Sequence, residues 1–439
     1  LALTAAAFVF TDTEHFPFPW ALAAVVGTVC IIRSVADTPV PWLRPLAGIG
    51  AISYSLYLWH YPVYVLLRWT AGLNTPLEMS AAVLLTFGLA LASYRLVEQP
   101  FRHRGRGLQP ALVMAIGVAC AVLSWGFATQ IIVHRYRLSL STVTHNAPEW
   151  YPAPWGSQSD NGPCHITFTV ETKWPPDSRL YASRGHCPAR RMLFVSGNSH
   201  ALAYSQMLGR FTLEQPYDVR IYYHPACAFM NLDHPMVSDE DSACRQFYTD
   251  VENELKAFAG RGDVVFLPSL RLPRFGDQWT LYDRPDLYDK RSQAERKAQR
   301  EAAVQEAEDL VALLAARGVR VIIEAPKPIF RAPAFRCADW YERTNPICAA
   351  GTHMPRTELI AYRQPVVRAM AAIRGAEVWD PFDLLCPGNP CGVTSAGHPL
   401  YFDGDHVSGY ANERLYPSFL QAIAGNAALR GATRPPQHP

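Results

Sequence analysis

Residues 111–133 read ALVMAIGVACAVLSWGFATQIIV, an apolar run without a charged side chain. A helix needs about 20 such residues to cross the hydrocarbon core of a bilayer. A helix at the surface of a soluble domain would instead carry a polar face. The run therefore predicts a membrane span, and with it a chain divided between two solvents. Residues 79–97 (MSAAVLLTFGLALASYRLV) and about 46–67, containing ISYSLYLWHYPVYVLL, are further candidates. Residues 19–32 form a shorter one, and 1–10 read as the tail of another. The overall composition, 49% hydrophobic with a net charge of +2 over 439 residues, conceals this division. Such a balance lacks the basic stripe of a nucleic-acid-binding protein, so nucleic acid is not an expected partner. The chain opens on Leu inside an apolar run, which predicts a piece of something longer.

The loops orient the spans. Arg33 and Arg44 flank one loop, and Arg102, Arg104 and Arg106 fill another, whereas loops 11–19 and 70–78 carry neither Lys nor Arg. Positive loops stay cytoplasmic, so everything after about residue 134 is expected outside. Cysteine usage points the same way. Eight of the ten cysteines lie beyond residue 160: Cys164, Cys187, Cys227, Cys244, Cys337, Cys348, Cys386 and Cys391. An even, locally grouped set suggests disulfides formed in an oxidising compartment. Pairing of neighbours (164–187, 227–244, 337–348, 386–391) is the simplest arrangement, though spacing leaves the connectivity open. Absent any Cys-x-x-Cys pair, no metal site is expected.

Within the apolar third, His60 lies in a span, where an ionisable side chain suggests function, while the surrounding Tyr57, Trp59 and Tyr61 suggest an interfacial belt. Arg95 and Glu98 are three apart, share a helix face and can pair. Residues 136–190 are rich in Pro, Trp and Ser and read as a linker packed onto the domain that follows.

From residue 191 strands and helices alternate. RMLFVSG, YDVRIYYH, DVVFLPS, VRVIIEA and AEVWD read as strands. KRSQAERKAQREAAVQEAEDLVALLAARG, TELIAYRQPVVRAMAAIRG and NERLYPSFLQAI read as helices. This alternation predicts a three-layer α/β domain with a parallel sheet, whose sites gather at the carboxyl ends of the strands. The first strand runs into Gly197-Asn198-Ser199, and a helical stripe of Ala201, Tyr204, Leu208 and Phe211 follows. Ser199 is thus placed at a helix N-terminus, where free N–H groups favour developing negative charge. A serine nucleophile needs a base, and the base an orienting group. Asp403 and His406, three apart in YFDGDHVSGYAN, can supply both, with Asp405 an alternative carboxylate. Taken alone, Ser199 also suits an N-cap and the Asp-Gly-Asp-His stretch a surface turn.

Two resemblances extend this reading. SYSLYLWHYP followed by YRLVEQPFR resembles the closing helices of the acyltransferase family 3 membrane domain, over about residues 1–107. Gly197-Asn198-Ser199 with Asp403-x-x-His406 resembles the SGNH, or GDSL-like, hydrolase family, over about 190–425. The chain is thereby expected to be a transmembrane helical fragment (1–135), an extracytoplasmic extension (136–190) and an SGNH-like domain (191–439). The SGNH resemblance implies Ser199 as nucleophile, His406 as general base and Asp403 as its orienter. Its oxyanion donors would come from the backbone of Ser199, from Asn198 and from Arg271, which stands in FLPSLRLP where the family carries Asn. His60, Arg95 and Glu98 are the candidates in the membrane part.

The combination resembles bacterial O-acetyltransferases of lipopolysaccharide O-antigen or other envelope polysaccharides. It implies a multi-pass inner-membrane protein with a periplasmic domain and a polysaccharide or lipid-linked glycan acceptor. Acetyl-CoA would serve the membrane part as acyl donor, with no bound cofactor. A glycan O-acetyl esterase, or a membrane-anchored glycan-binding protein with a vestigial triad, are the alternatives.

Overall fold

The computed structural model describes residues 20–36, 44–104, 109–152, 164–171, 178–185, 187, 190–225, 227–232, 235–236, 242–268 and 292–425. It falls into two compact units, 1–67 with 73–121, and 68–72 with 122–439.

The first unit is helical: α1 (Trp20–Ala36), α2 (Arg44–Ala51), α3 (Ser53–Trp69), α4 (Pro76–Ser93), α5 (Gln99–Arg104) and α6 (Pro110–Val133), the last running on into the second unit. Helix α4 starts in a capping box: Thr75 accepts from the Glu78 N–H at 3.2 Å, and Glu78 accepts from the Thr75 N–H at 2.9 Å. A π-helical turn, Tyr94–Glu98, joins α4 to α5. Two helices, Pro76–Arg102 and Ala111–Val133, are long and apolar enough to cross a membrane. The candidate at 46–67 is divided between α2 and α3, and the predicted span at 1–10 lies outside the described residues.

The second unit is built on a seven-stranded sheet: β1 (Cys164–Glu171), β2 (Ser178–Gly185), β3 (Arg191–Gly197), β4 (Tyr217–Tyr223), β5 (Val264–Leu267), β6 (Arg320–Glu324) and β7 (Glu377–Trp379). The spatial order is β1-β2-β4-β3-β5-β6-β7. Strands β4, β3, β5, β6 and β7 are parallel, and β3, β5 and β6 read as short buried runs because both sheet faces are covered there. The sheet is not wholly parallel, however. Strands β1 and β2 add to its edge in antiparallel sense, β2 on β4. The segment 136–190 is therefore more than a linker. Ile166 and Phe168, alternating with Thr167 and Thr169, turn toward the core and make 164–171 a strand.

Alternate residues of β3 feed two cores. Leu193 and Val195 pack with Met207 and Phe211 of α8 (Ser205–Glu214) and Leu415 and Phe419 of α12 (Gly409–Ala424). Phe194 packs on the opposite face, in a core with Val251 of α9 (Ser242–Phe258), Leu310 of α10 (Gln293–Ala316) and Met370 of α11 (Arg356–Ala372). Helix α9 was not read from the sequence, although its apolar side chains repeat at helical spacing. The disulfides Cys227–Cys244, Cys337–Cys348 and Cys386–Cys391 close as neighbours. Cys187 is disulfide-bonded as well, while the side chain of Cys164 lies outside the described residues.

The chain leaves β3 to form β4 on one side and later returns to form β5 on the other. The carboxyl end of β3 is therefore the switch point of the sheet, where the connecting loops diverge and leave a crevice. Ser199, two residues beyond that end, opens the short helix α7 (Ser199–Leu202).

Candidate active site

Asn198 caps a single helical turn, Ser199–Leu202, its side-chain oxygen accepting from the His200 N–H at 3.0 Å. This cap sets Ser199 at the turn's first position. The opposite partner comes from the loop before α12. Ser408 caps α12, accepting from the Ala411 N–H at 3.0 Å and donating to the Pro399 carbonyl at 2.5 Å. Within the loop Asp403 Oδ1 accepts from the backbone N–H of Asp405 at 3.0 Å and of His406 at 2.7 Å. The Phe330 N–H holds the Gly404 carbonyl at 2.7 Å. Asn412, buried on α12, joins the two halves: it donates to the carbonyls of Ala203 and Ser408, each at 2.8 Å, and accepts from the Met207 N–H at 3.0 Å.

These constraints bring residues 207 positions apart into contact. The Ser199 hydroxyl lies 2.7 Å from His406 Nε2, and His406 Nδ1 lies 2.8 Å from Asp403 Oδ2. A second carboxylate joins them, Asp405 Oδ1 standing 3.0 Å from the same Nδ1. The alternative between Asp403 and Asp405 thus does not arise, since the loop delivers both. Burial alone would make His406 a weaker base, but hydrogen bonds and charge from Asp403 and Asp405 outweigh it and raise its pKa to about 9. Burial works against ionised Asp405 too, yet its contacts with His200 and His406 hold it well below the usual carboxylate range. Such an arrangement can activate a serine hydroxyl through an oriented imidazole.

A family model described as an SGNH domain (fused to AT3 domains) matches residues 163–421. The chain belongs to this SGNH family. The matched region begins at β1, as the sheet does, rather than at 191. Among curated relatives, YrhL of Bacillus subtilis (strain 168), provisionally named a peptidoglycan O-acetyltransferase, is 36% identical over 107 residues, covering 22% of this chain and 17% of that protein. The O-acetyltransferase OatA of Staphylococcus aureus (strain NCTC 8325 / PS 47) is 42% identical over 65 residues, 14% of this chain and 11% of that one. The matches thus span less than a fifth of either relative. A solved lipopolysaccharide acetyltransferase periplasmic domain from Salmonella ser. Paratyphi A is 15% identical, with a TM-score of 0.35, covering 54% of this chain and 84% of that one.

The SGNH domain contains groups beside the triad that sequence reading missed. The imidazole of His200 stacks on that of His406, with centroids 4.4 Å apart and planes at 16°. Next to it, Lys327 and Glu324 form a buried ion pair, with Lys327 Nζ 2.8 Å from each Glu324 oxygen and the Tyr204 hydroxyl also donating to Glu324. His200, Glu324 and Lys327, together with Pro268, Ile329 and Asp405, line an opening at the carboxyl ends of β3, β5 and β6. The position of His200 directly after Ser199 was the one available signal; Glu324 and Lys327 meet only through the turn after β6.

Of the oxyanion candidates, Asn198 engages its side-chain oxygen as a cap, and Arg271 lies outside the described residues. His200, Asp405 and His406 present metal-ligating atoms within 4.8 Å of one another, but the His406 and Asp405 atoms already face each other in the triad. A second such group, His224, Cys227 and Cys244, has both its sulfurs in a disulfide.

In the helical unit, His60 Nδ1 lies 2.6 Å from the Tyr57 carbonyl, on an exposed helix face. The expected Arg95–Glu98 pair does not form. Glu98 instead meets Arg102 at 2.7 Å and accepts from Ser55 at 3.1 Å. The π-helical turn widens the repeat over Tyr94–Glu98, so a three-residue spacing no longer stacks the two side chains.

Proposed function

We propose that the chain is part of a membrane-bound O-acetyltransferase whose SGNH domain transfers an acetyl group through an acyl-serine at Ser199. The observation that carries this reading is the continuous hydrogen-bonded line Ser199–His406–Asp403 at the sheet's switch point. Ser199 attacks the acetyl carbonyl of the donor while His406 takes its proton. The tetrahedral intermediate collapses, His406 protonates the departing group, and acetyl-Ser199 remains. A glycan hydroxyl then gives its proton to His406 and attacks the acyl-serine, which regenerates Ser199. The backbone N–H of Ser199, at the start of its helical turn, faces the developing oxyanion, and a donor of this type is worth about 3 kcal/mol.

The acceptor in this reading is a cell-envelope polysaccharide, lipopolysaccharide O-antigen or another glycan; the peptidoglycan O-acetyltransferase name of YrhL supports the envelope-glycan class. The apolar helices and the arginine-bearing loops support a multi-pass protein of the bacterial inner membrane, with the SGNH domain in the periplasm. In this scheme acetyl-CoA serves the membrane part of the full protein.

The test uses the whole chain in lipid nanodiscs, given p-nitrophenyl acetate with and without oligosaccharide acceptors, beside Ser199→Ala. Acetyl-Ser199 seen by intact mass, and acetyl appearing on the sugar, are expected. Acetate release alone, undiminished by acceptor, would make the domain an O-acetyl esterase. Equal background in both proteins would overturn the acyl-serine.

A further inference from the structure

We propose that His200 is a positioning residue that acts on His406 through Asp405. The inference rests on the reading of Ser199 and His406 as nucleophile and base, and adds a second histidine–carboxylate pair to it.

The geometry is specific. Asp405 lies between two imidazoles, with Oδ1 3.0 Å from His406 Nδ1 and Oδ2 3.6 Å from His200 Nε2. The two rings are nearly coplanar in direction and stacked. Among the described residues His200 Nδ1 is buried without a hydrogen-bond partner, and the carboxylate nearest its ring is Asp405, on the Nε2 side. A carboxylate on that side favours the tautomer with its proton on Nε2, although 3.6 Å is longer than a formed hydrogen bond. The backbone of His200 is in turn held by the Asn198 cap, which also places Ser199. One short turn therefore carries the nucleophile and the anchor for the carboxylate behind the base.

The charges around the pair favour an un-ionised His200. His406 is faced by Asp403 and Asp405 from its own loop and by Ser199 and His200 from the turn after β3. Glu324, at the end of β6, and Lys327, in the turn after it, approach His200. His200 cannot easily take a proton while stacked on a cationic His406 and near Lys327; burial first, then the His406 charge, lowers its pKa to about 4. When His406 accepts the serine proton, it then meets a neutral aromatic face instead of a second cation. Asp405, with the His200 ring 3.6 Å from its other oxygen, stays at Nδ1 to share the new positive charge.

The experiment follows the His406 imidazole itself. The whole chain, carrying ¹³Cε1-histidine and held in nanodiscs, is titrated by NMR, with the His406 resonance assigned by its loss in His406→Asn. Asp405→Asn is expected to lower the His406 midpoint by about one pH unit or more. His200→Phe keeps a ring but no donor, and is expected to lower the midpoint in the same direction by less. His200→Phe added to Asp405→Asn is expected to change nothing further, because the effect passes through Asp405. His200→Gln, which restores an N–H donor, is expected to return the midpoint toward that of the unaltered protein. An unmoved midpoint in both His200 variants, or a His200→Phe shift that persists undiminished without Asp405, would overturn the proposal. The same samples are treated with a fluorophosphonate. Failure of Ser199 to label, with coupled midpoints intact, would count against the transferase reading and not against this one.

Discussion

Asp403 holds His406 twice, with Oδ2 2.8 Å from the ring Nδ1 and Oδ1 2.7 Å from the backbone N–H of the same residue. The carboxylate thus fixes both the loop and the imidazole. In a triad with a lone aspartate, its replacement by asparagine costs about 10⁴ in kcat. Here Asp405 remains at Nδ1, and Asp403→Asn should cost only about 10- to 100-fold, with the full ~10⁴ reached in Asp403→Asn/Asp405→Asn. Initial rates on p-nitrophenyl acetate check this. A single variant as impaired as the double would show that Asp405 lends no support.

The acylation rate should rise with pH until the alkaline range. His406 must be neutral to accept the serine proton, and its pKa is raised to about 9, so the acid limb should centre there. The stability consequence has the same origin. Its folded pKa exceeds the ordinary 6.5, so its contribution is complete below about pH 6.5 and is lost as pH rises through about 9. For His200, lowered to about 4, the contribution is present above about pH 6.5 and is lost as pH falls through about 4. Melting temperatures should decline on both sides, and His406→Asn should flatten the alkaline side alone.

Lys327→Met should be strongly destabilising. Glu324 and Lys327 are almost wholly buried, and burial raises the carboxyl pKa of Glu324 against the opposing effects of Lys327 and Tyr204. Removing the ammonium strands a buried carboxylate, at a cost of about 3–5 kcal/mol. Glu324→Leu with Lys327→Met should recover most of that loss. Denaturant midpoints of the three proteins measure it, and equal losses in the single and double variants would contradict it.

Gly409→Ala should disturb the base without touching it. A Cβ at Gly409 would stand 2.1 Å from the Pro148 carbonyl oxygen and 3.1 Å from that of Tyr151. Both are backbone atoms of the segment Ala147–Tyr151, which packs at the start of α12 three residues after His406. We expect a loss of about 1–3 kcal/mol, the usual range for overpacking, together with slower labelling of Ser199. Thermal unfolding and fluorophosphonate kinetics report the two effects separately.

Much of this was legible in the residues. Strands β3, β5 and β6 are buried on both faces, so their apolar runs announced them. Helix α10 opens with a Ser292–Glu295 capping box and ends by Gly318, whose φ of +76° favours a residue without a side chain. Ser199, Asp403 and His406 stood out because a turn after a strand and a three-residue carboxylate–histidine offset are local patterns. Strands β1 and β2 were obscured because most of their side chains are half-exposed and apolar residues alternate with polar ones, so neither presents an apolar run. The Arg95–Glu98 pair failed because helical spacing assumes an α repeat, which the π-helical turn breaks.

The sequence by itself thus determined the division into apolar and α/β parts and the identity of three residues, since periodicity and turn chemistry act between near neighbours. The tertiary structure alone decided that Ser199 and His406, 207 residues apart, meet at 2.7 Å. It alone also decided that Asp405 and His200 stand behind them and that Glu324 is neutralised by Lys327. Those relations depend on which loops the sheet order brings to one edge, and strand order is set by the packing of the whole domain.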